Sequence, residues 1–147
     1  MTKLAGLHLR KGQYVAHSWS LTTDRLWVAN GLFDLLDAQT DNRELGKAVR
    51  RMLDASRSGV PTPDLRTGPS PFAPVLSALG LRSYRTYAKD IRIIHIEQDG
   101  DNLVVTPHHN GGPREGFVGI PEQAIGLTNP ADEELGHALR TALDRCT

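Results

Sequence analysis

The sequence predicts an α+β fold, a mainly antiparallel sheet packed with helices, and three observations carry that expectation. A seventeen-residue segment recurs ninety positions later, turn residues split short apolar runs into hairpins, and helical periodicity follows each group of runs. Together these give two tandem strand-strand-strand-helix units, about residues 1–57 and 91–147, joined by a proline-rich connection over 58–74. The chain has 147 residues, 39% of them hydrophobic and 23% charged, which suits a single domain and excludes a disordered or fibrous chain.

In the first unit, Leu4, Leu7 and Leu9 around His8 form an apolar strand, and Lys11-Gly12 forms the turn after it. Gln13 to Leu21 sets Tyr14, Ala16, Ser18 and Ser20 against Val15, His17, Trp19 and Leu21, the period of a strand. Leu26 to Ala29 is a third strand. Asp41 caps the helix that follows, whose buried stripe is Leu45, Ala48, Val49 and Met52.

Residues 41–57, DNRELGKAVRRMLDASR, align without gaps on residues 131–147, ADEELGHALRTALDRCT, with seven identities. Gly46 and Gly136 match each other inside the first two turns, where glycine costs about 1 kcal/mol relative to alanine. Close approach to a neighbouring strand is the expected reason.

Pro61, Pro63, Pro69, Pro71 and Pro74 mark the connection as a surface segment. Ser70-Pro71 reads as N-cap and first-turn proline, and Gly80 as the stop, of a short helix from Pro71 to Leu79. Leu81 to Lys89 reads as strand or loop. The second unit then opens with Ile91, Ile93, Ile94 and Ile96 around His95 and turns at Asp99-Gly100-Asp101-Asn102. Asn102 to Thr106 returns, Gly116 to Ile120 is the third strand, and Asn129 or Asp132 caps the closing helix.

Seventeen basic residues balance seventeen acidic ones, but unevenly along the chain. Through Ile96 there are fourteen Lys and Arg against eight Asp and Glu; from Glu97 onward there are three against nine. Such asymmetry can mark a patch for an oppositely charged partner or mix on an ordinary surface once the chain folds. No apolar run approaches the roughly 20 residues of a membrane span, and no secretion signal is visible, so the cytoplasm is the expected location. Cys146 is the single cysteine and reads as a small apolar residue.

Catalytic and metal-binding signals are thin. His108 and His109 are strand neighbours facing opposite ways, and no Cys or second His stands at a ligand spacing, so neither metal nor cofactor is expected. His95 or His109 could pair with Ser83, Thr106 or Cys146 as base and nucleophile, although any chain of this length offers such pairs. Gly111-Gly112-Pro113 lacks the lysine, serine and strand-to-helix context of a phosphate loop. Arg82, Arg85, Lys89 and Arg92, interleaved with Tyr84 and Tyr87, have the composition of a nucleic-acid surface or of a solvated face. Trp19 and Trp27 read as core residues or interface anchors.

Four segments carry a family resemblance: the Leu-Gly-x-Ala-x-x-x-x-Leu helix at Leu45, Ser83 to Lys89 (SYRTYAK), Leu103 to His109 (LVVTPHH), and the closing helix Glu134 to Cys146 (ELGHALRTALDRC). On these the sequence resembles the contact-dependent growth inhibition (CDI) immunity proteins of the CdiI type. One departure is that Gly116-Phe117 stands near the place where such proteins carry a tryptophan. The resemblance implies a cytoplasmic, non-enzymatic protein that binds the toxic C-terminal domain of a cognate effector, often a nuclease, and covers its active site or substrate surface. It implies no membrane and no direct nucleic-acid partner. With that implication, the partner contacts are expected at Glu97, Asp99 and Asp101 on the hairpin tip and at Glu115, whose carboxylates would stand in for substrate phosphates. Asp132 and Glu133 are second choices. The alternative is a small nucleic-acid-binding module using residues 82–92, and a third reading is a small hydrolase using His95 or His109.

Overall fold

The computed structural model describes residues 2–147. Three strands come first: β1 (Thr2–Arg10), β2 (Gln13–Thr22) and β3 (Trp27–Leu36). Helix α1 (Asn42–Ala55) follows, then the short β4 (Ser58–Val60), α2 (Ala73–Ala78) and α3 (Tyr84–Ala88). The second unit is β5 (Arg92–Asp99), β6 (Asn102–Asn110), a one-turn α4 (Gly112–Glu115), β7 (Phe117–Gly119), β8 (Ile125–Thr128) and α5 (Asp132–Asp144). The strands form one eight-stranded sheet in the order β3-β2-β1-β5-β6-β7, with β8 also on β6 and β4 beside the end of β2. Every pairing is antiparallel except β2 with β4. The α+β, mainly antiparallel expectation therefore holds.

The hairpins form where the turn residues allow them. Lys11 and Gly12 both take positive φ, as does Gly100, and these tight turns set the pairings Arg10 with Gln13 and Asp99 with Asn102. Alternation then gives each strand two faces. Ala5, Leu7, Tyr14, Ala16, Ile94, Ile96, Leu103 and Val105 point to one side and are buried under α1 and α5 in the larger core.

The repeat shows itself as a pseudo-twofold arrangement. β1 and β5 pair in the middle of the sheet, and the ninety-residue offset maps the pair Gly6–His95 onto the pair Ala5–Ile96. The helices obey the same relation. A Cβ on Gly46 would strike the carbonyl oxygen of Asp132, and one on Gly136 would strike that of Asn42. The two glycines are thus kept bare by the opposing helix and not by a strand, which corrects the sequence expectation. Two arginines seal the crossing in matched ways. Arg50 donates to Asp132 Oδ1 at 2.7 Å and to the carbonyl of Pro130; Arg140 donates to Asn42 Oδ1 at 2.6 Å and to the carbonyl of Thr40.

Local differences from expectation have visible causes. Asp41 caps α1 by accepting from the Glu44 amide, but the matching position before α5 is Ala131, which has no side-chain acceptor, while Asp132 lies inside the helix and accepts from Arg50. The third strand of the first unit runs to Leu36 and not Ala29, and is bent at Asn30, which bonds Ser18, Ser20 and the Ala55 carbonyl. Its counterpart is broken into β7 and β8 by a 3-10 turn at Pro121–Gln123. Helix α2 starts after Phe72, with Ser70 accepting from the Phe72 amide, and Gly80 at positive φ follows its end. Leu81 to Lys89 is neither strand nor plain loop: Ser83 accepts from the Thr86 amide and starts α3. The proline-rich connection opens with the strand β4.

Candidate partner-binding surface

The second face of the sheet is where the molecule departs from an ordinary two-layer core. Helices α2 and α3 cover only part of it, through Phe72, Val75, Leu76 and Tyr87 packed with Val15, Ile91 and Ile93. His8 and His17 are buried beneath them. Tyr87 Oη lies 2.6 Å from His8 Nδ1, and His8 Nε2 lies 3.1 Å from His17 Nε2, so one hydrogen-bonded chain ties α3 to β1 and β2. Gly6 makes room for it: a Cβ there would come within 2.6 Å of His17 Nε2.

The histidines continue across the sheet, since the His95 and His108 rings are 4.3 Å apart and His95 also packs edge-on to Trp19. Burial keeps all four neutral. It holds His8 well below its ordinary value, with His17 adding to the effect, and pushes His17 down to about 3. His95 falls to about 4 through burial and then the neighbouring His108, and burial lowers His108 as well. Among the described residues, no group of three or more His, Cys, Asp or Glu is placed to hold a metal ion.

Beyond the histidines the second face is open in part, exposed at Glu97, Asp99 and Val104 and closed at Leu4, which is 5% exposed, and its composition can be read across the strands from the register. One row runs Ala29, Trp19, Leu4, Glu97, Val104, Gly126 through β3, β2, β1, β5, β6 and β8. The next row toward the β5–β6 turn contains Trp27 and Leu21 on one side and Thr2, Asp99, Asn102 and Thr128 on the other. The row toward the helices holds Gly6, His95 and Thr106. Glu97, Asp99 and Val104 are exposed, and Trp19, Trp27 and His95 are half-buried. No lysine or arginine occupies a strand position in these three rows.

The structure thus brings together three of the four expected contact residues. Glu97 and Asp99 share the open face, and Asp101 stands exposed in the adjoining turn. The Asp101 carbonyl accepts from the Asn129 amide at 2.7 Å, which ties to the tip the segment leading into α5 and its acidic first turn, Asp132, Glu133 and Glu134. Glu115 does not join them. It sits on α4, past the other end of β6, about 30 Å away by strand length. The sequence marks Trp19 and Trp27 as core residues or interface anchors; what it does not supply is that they share a sheet face with Val104, which depends on cross-strand register.

The other candidates fall elsewhere. Tyr87 is fully buried, so the basic segment keeps only Tyr84 as an exposed ring, and that ring packs edge-on against Phe72. Tyr84, Arg85, Lys89, Arg92 and Phe117 line a separate cleft at the far end of the molecule. His109 is exposed and bonds the Thr147 hydroxyl. His95 lies across from Thr106, yet no side-chain hydrogen bond joins them among the described residues. Cys146 is buried in the larger core, its thiol donating to the Ile93 carbonyl and pushed up in pKa by burial. No described helix is long and apolar enough to cross a membrane.

Comparison with known proteins places this fold. Two solved structures match it over 100% of the chain, each with a TM-score of 0.79. One is a Neisseria meningitidis protein described as of unknown function, 21% identical and covered over 96% of its length. The other is a chain of a CdiA-CT/CdiI toxin and immunity complex from Yersinia pseudotuberculosis, 18% identical and covered over 98%. No curated protein matches the sequence. Residues 4–146 match the family described as CdiI, CDI immunity protein, and the chain belongs to that family.

Proposed function

We propose that this protein is the immunity partner of a toxin, and that it binds and neutralises the toxic C-terminal domain of a contact-dependent growth inhibition effector in the cytoplasm of the cell that makes both. The observation that carries this reading is membership of the CDI immunity family over residues 4–146, supported by the full-length likeness to a chain of a toxin and immunity complex. In this reading the chain is an inhibitor and not an enzyme.

The finer reading is that the toxin is a nuclease whose substrate surface is covered. The hairpin tip supports it on electrostatic grounds. A nuclease holds phosphates with lysine and arginine, and the carboxylates of Glu97, Asp99 and Asp101 present the same charge on a rigid hairpin. Glu115, remote from the tip, would belong to a second contact.

The test is binding with purified components. The toxin domain encoded immediately upstream should form a stoichiometric complex with this chain and lose its nuclease activity in it. A nuclease that stays active when saturated with this protein would overturn the blocking mechanism.

A further inference from the structure

We infer that the open half of the second sheet face, centred on Trp19 and Val104, is the buried centre of the interface with a cationic toxin domain, and that the acidic tip is its rim. The inference rests on the immunity reading above and says where, and with what chemistry, the partner docks.

Coverage is the first argument. One sheet face is packed under α1 and α5 across β1, β2, β5 and β6, whereas the cluster built by α2 and α3 takes in Val15, Ile93, Phe33 and Ala29 but none of Trp19, Glu97 or Val104. An antiparallel sheet can face water on one side, but it then carries polar outward positions. Here the outward positions include both tryptophans of the chain, Leu21, and Val104 at 41% exposed. Trp19 Nε1 is moreover buried without a hydrogen-bond partner among the described residues. Aromatic side chains at the centre of a patch are the residues on which binding energy concentrates.

Charge identifies the occupant. Around this apolar centre stand Glu97 and Asp99, with Asp101 next to them, and no strand position of the three rows is basic. The neutral His95 adds no positive charge. A partner that fits must therefore bring cations to the rim and an apolar or aromatic side chain to the centre, and a nuclease's phosphate-binding surface has that character. An acidic partner, or a second copy of this chain presenting the same face, would set like charges together.

Size is consistent with that role. Five inter-strand steps from β3 to β8 span about 24 Å, and the four residue steps along β5 from His95 to Asp99 span about 13 Å. The flat area is more than a third of the roughly 800 Å² that each partner buries in a standard interface.

The test uses the full chain and the toxin domain encoded upstream. Val104→Arg puts a cation at the centre of the patch without touching the core. Val118→Arg is the control: Val118 is 50% exposed, but it pairs with His109 and so lies on the opposite face. Val104→Arg should weaken binding at least a hundredfold with an unchanged melting temperature, and Val118→Arg should stay within about threefold of the wild type. Wild-type affinity in Val104→Arg overturns the surface while leaving the immunity function standing. Failure of the wild-type chain to bind the domain overturns the functional reading, and this surface with it.

Discussion

Tyr87 and His8 show how a single hydrogen bond organises the second layer. The phenol reaches the imidazole at 2.6 Å in a fully buried site, so Tyr87→Phe leaves His8 Nδ1 without its partner. The loss should be about 1–3 kcal/mol in urea unfolding, the cost of an orphaned buried polar group. The same cluster sets a pH dependence. His8, His17, His95 and His108 are all held below their ordinary value in the folded chain. Above pH about 6.5 they are neutral whether folded or not and contribute nothing to the slope. Below it the unfolded chain takes up protons that the folded chain refuses. Stability should therefore fall as the pH drops from about 6.5 toward the depressed values, at about 1.4 kcal/mol per pH unit for each histidine that stays neutral. Chemical denaturation at pH 7.5 and 5 should show this loss, and His8→Asn should reduce the slope. The sequence displays each histidine inside an apolar run. It cannot show that four of them meet, because that depends on cross-strand register, which one residue of slip would reverse.

Between elements, the crossing of α1 and α5 is the most specific contact in the fold. Gly46→Ala and Gly136→Ala should each destabilise by about 1–3 kcal/mol or more, since the added methyl meets backbone carbonyls that cannot rotate away. In an exposed helix the same change would stabilise, so the sign of the effect in a melting experiment tests the packing directly. This much was nearly legible: the repeated Leu-Gly pair announced two matched helices and a close approach, and only the identity of the neighbour was wrong. The third strands were less legible. Asn30 bends β3 through bonds to Ser18 and Ser20, and Pro121 splits β7 from β8, both through contacts invisible to local alternation. Helix α3 was undecided because five residues carry too little periodicity to separate helix from loop. The hairpin tip has its own prediction. Asp99→Lys with Asp101→Lys should weaken toxin binding while leaving the melting temperature unchanged, since both side chains are exposed.

At the scale of the whole molecule, the pseudo-twofold frame places two equivalent hairpins at opposite ends of one sheet, and the sequence has diverged to give them opposite character. Arg10 and Lys11 flank the first turn, while Asp99 and Asp101 flank the second. The charge asymmetry noted along the chain becomes, at this second turn, an acidic end of the sheet. Association steered by that end should slow as salt rises from about 0.05 to 0.5 M, as the Debye length contracts, while dissociation changes less. Family membership was legible in the repeated helix and the closing Arg-Cys; the tryptophan-bearing face was not, because Trp19, Trp27 and Val104 come to share one face only in the folded sheet. The most direct test of the central claim is survival. Cells expressing the upstream toxin domain alone should die, and cells expressing it with this chain should grow. Equal killing with and without this chain, at matched expression, would contradict the account.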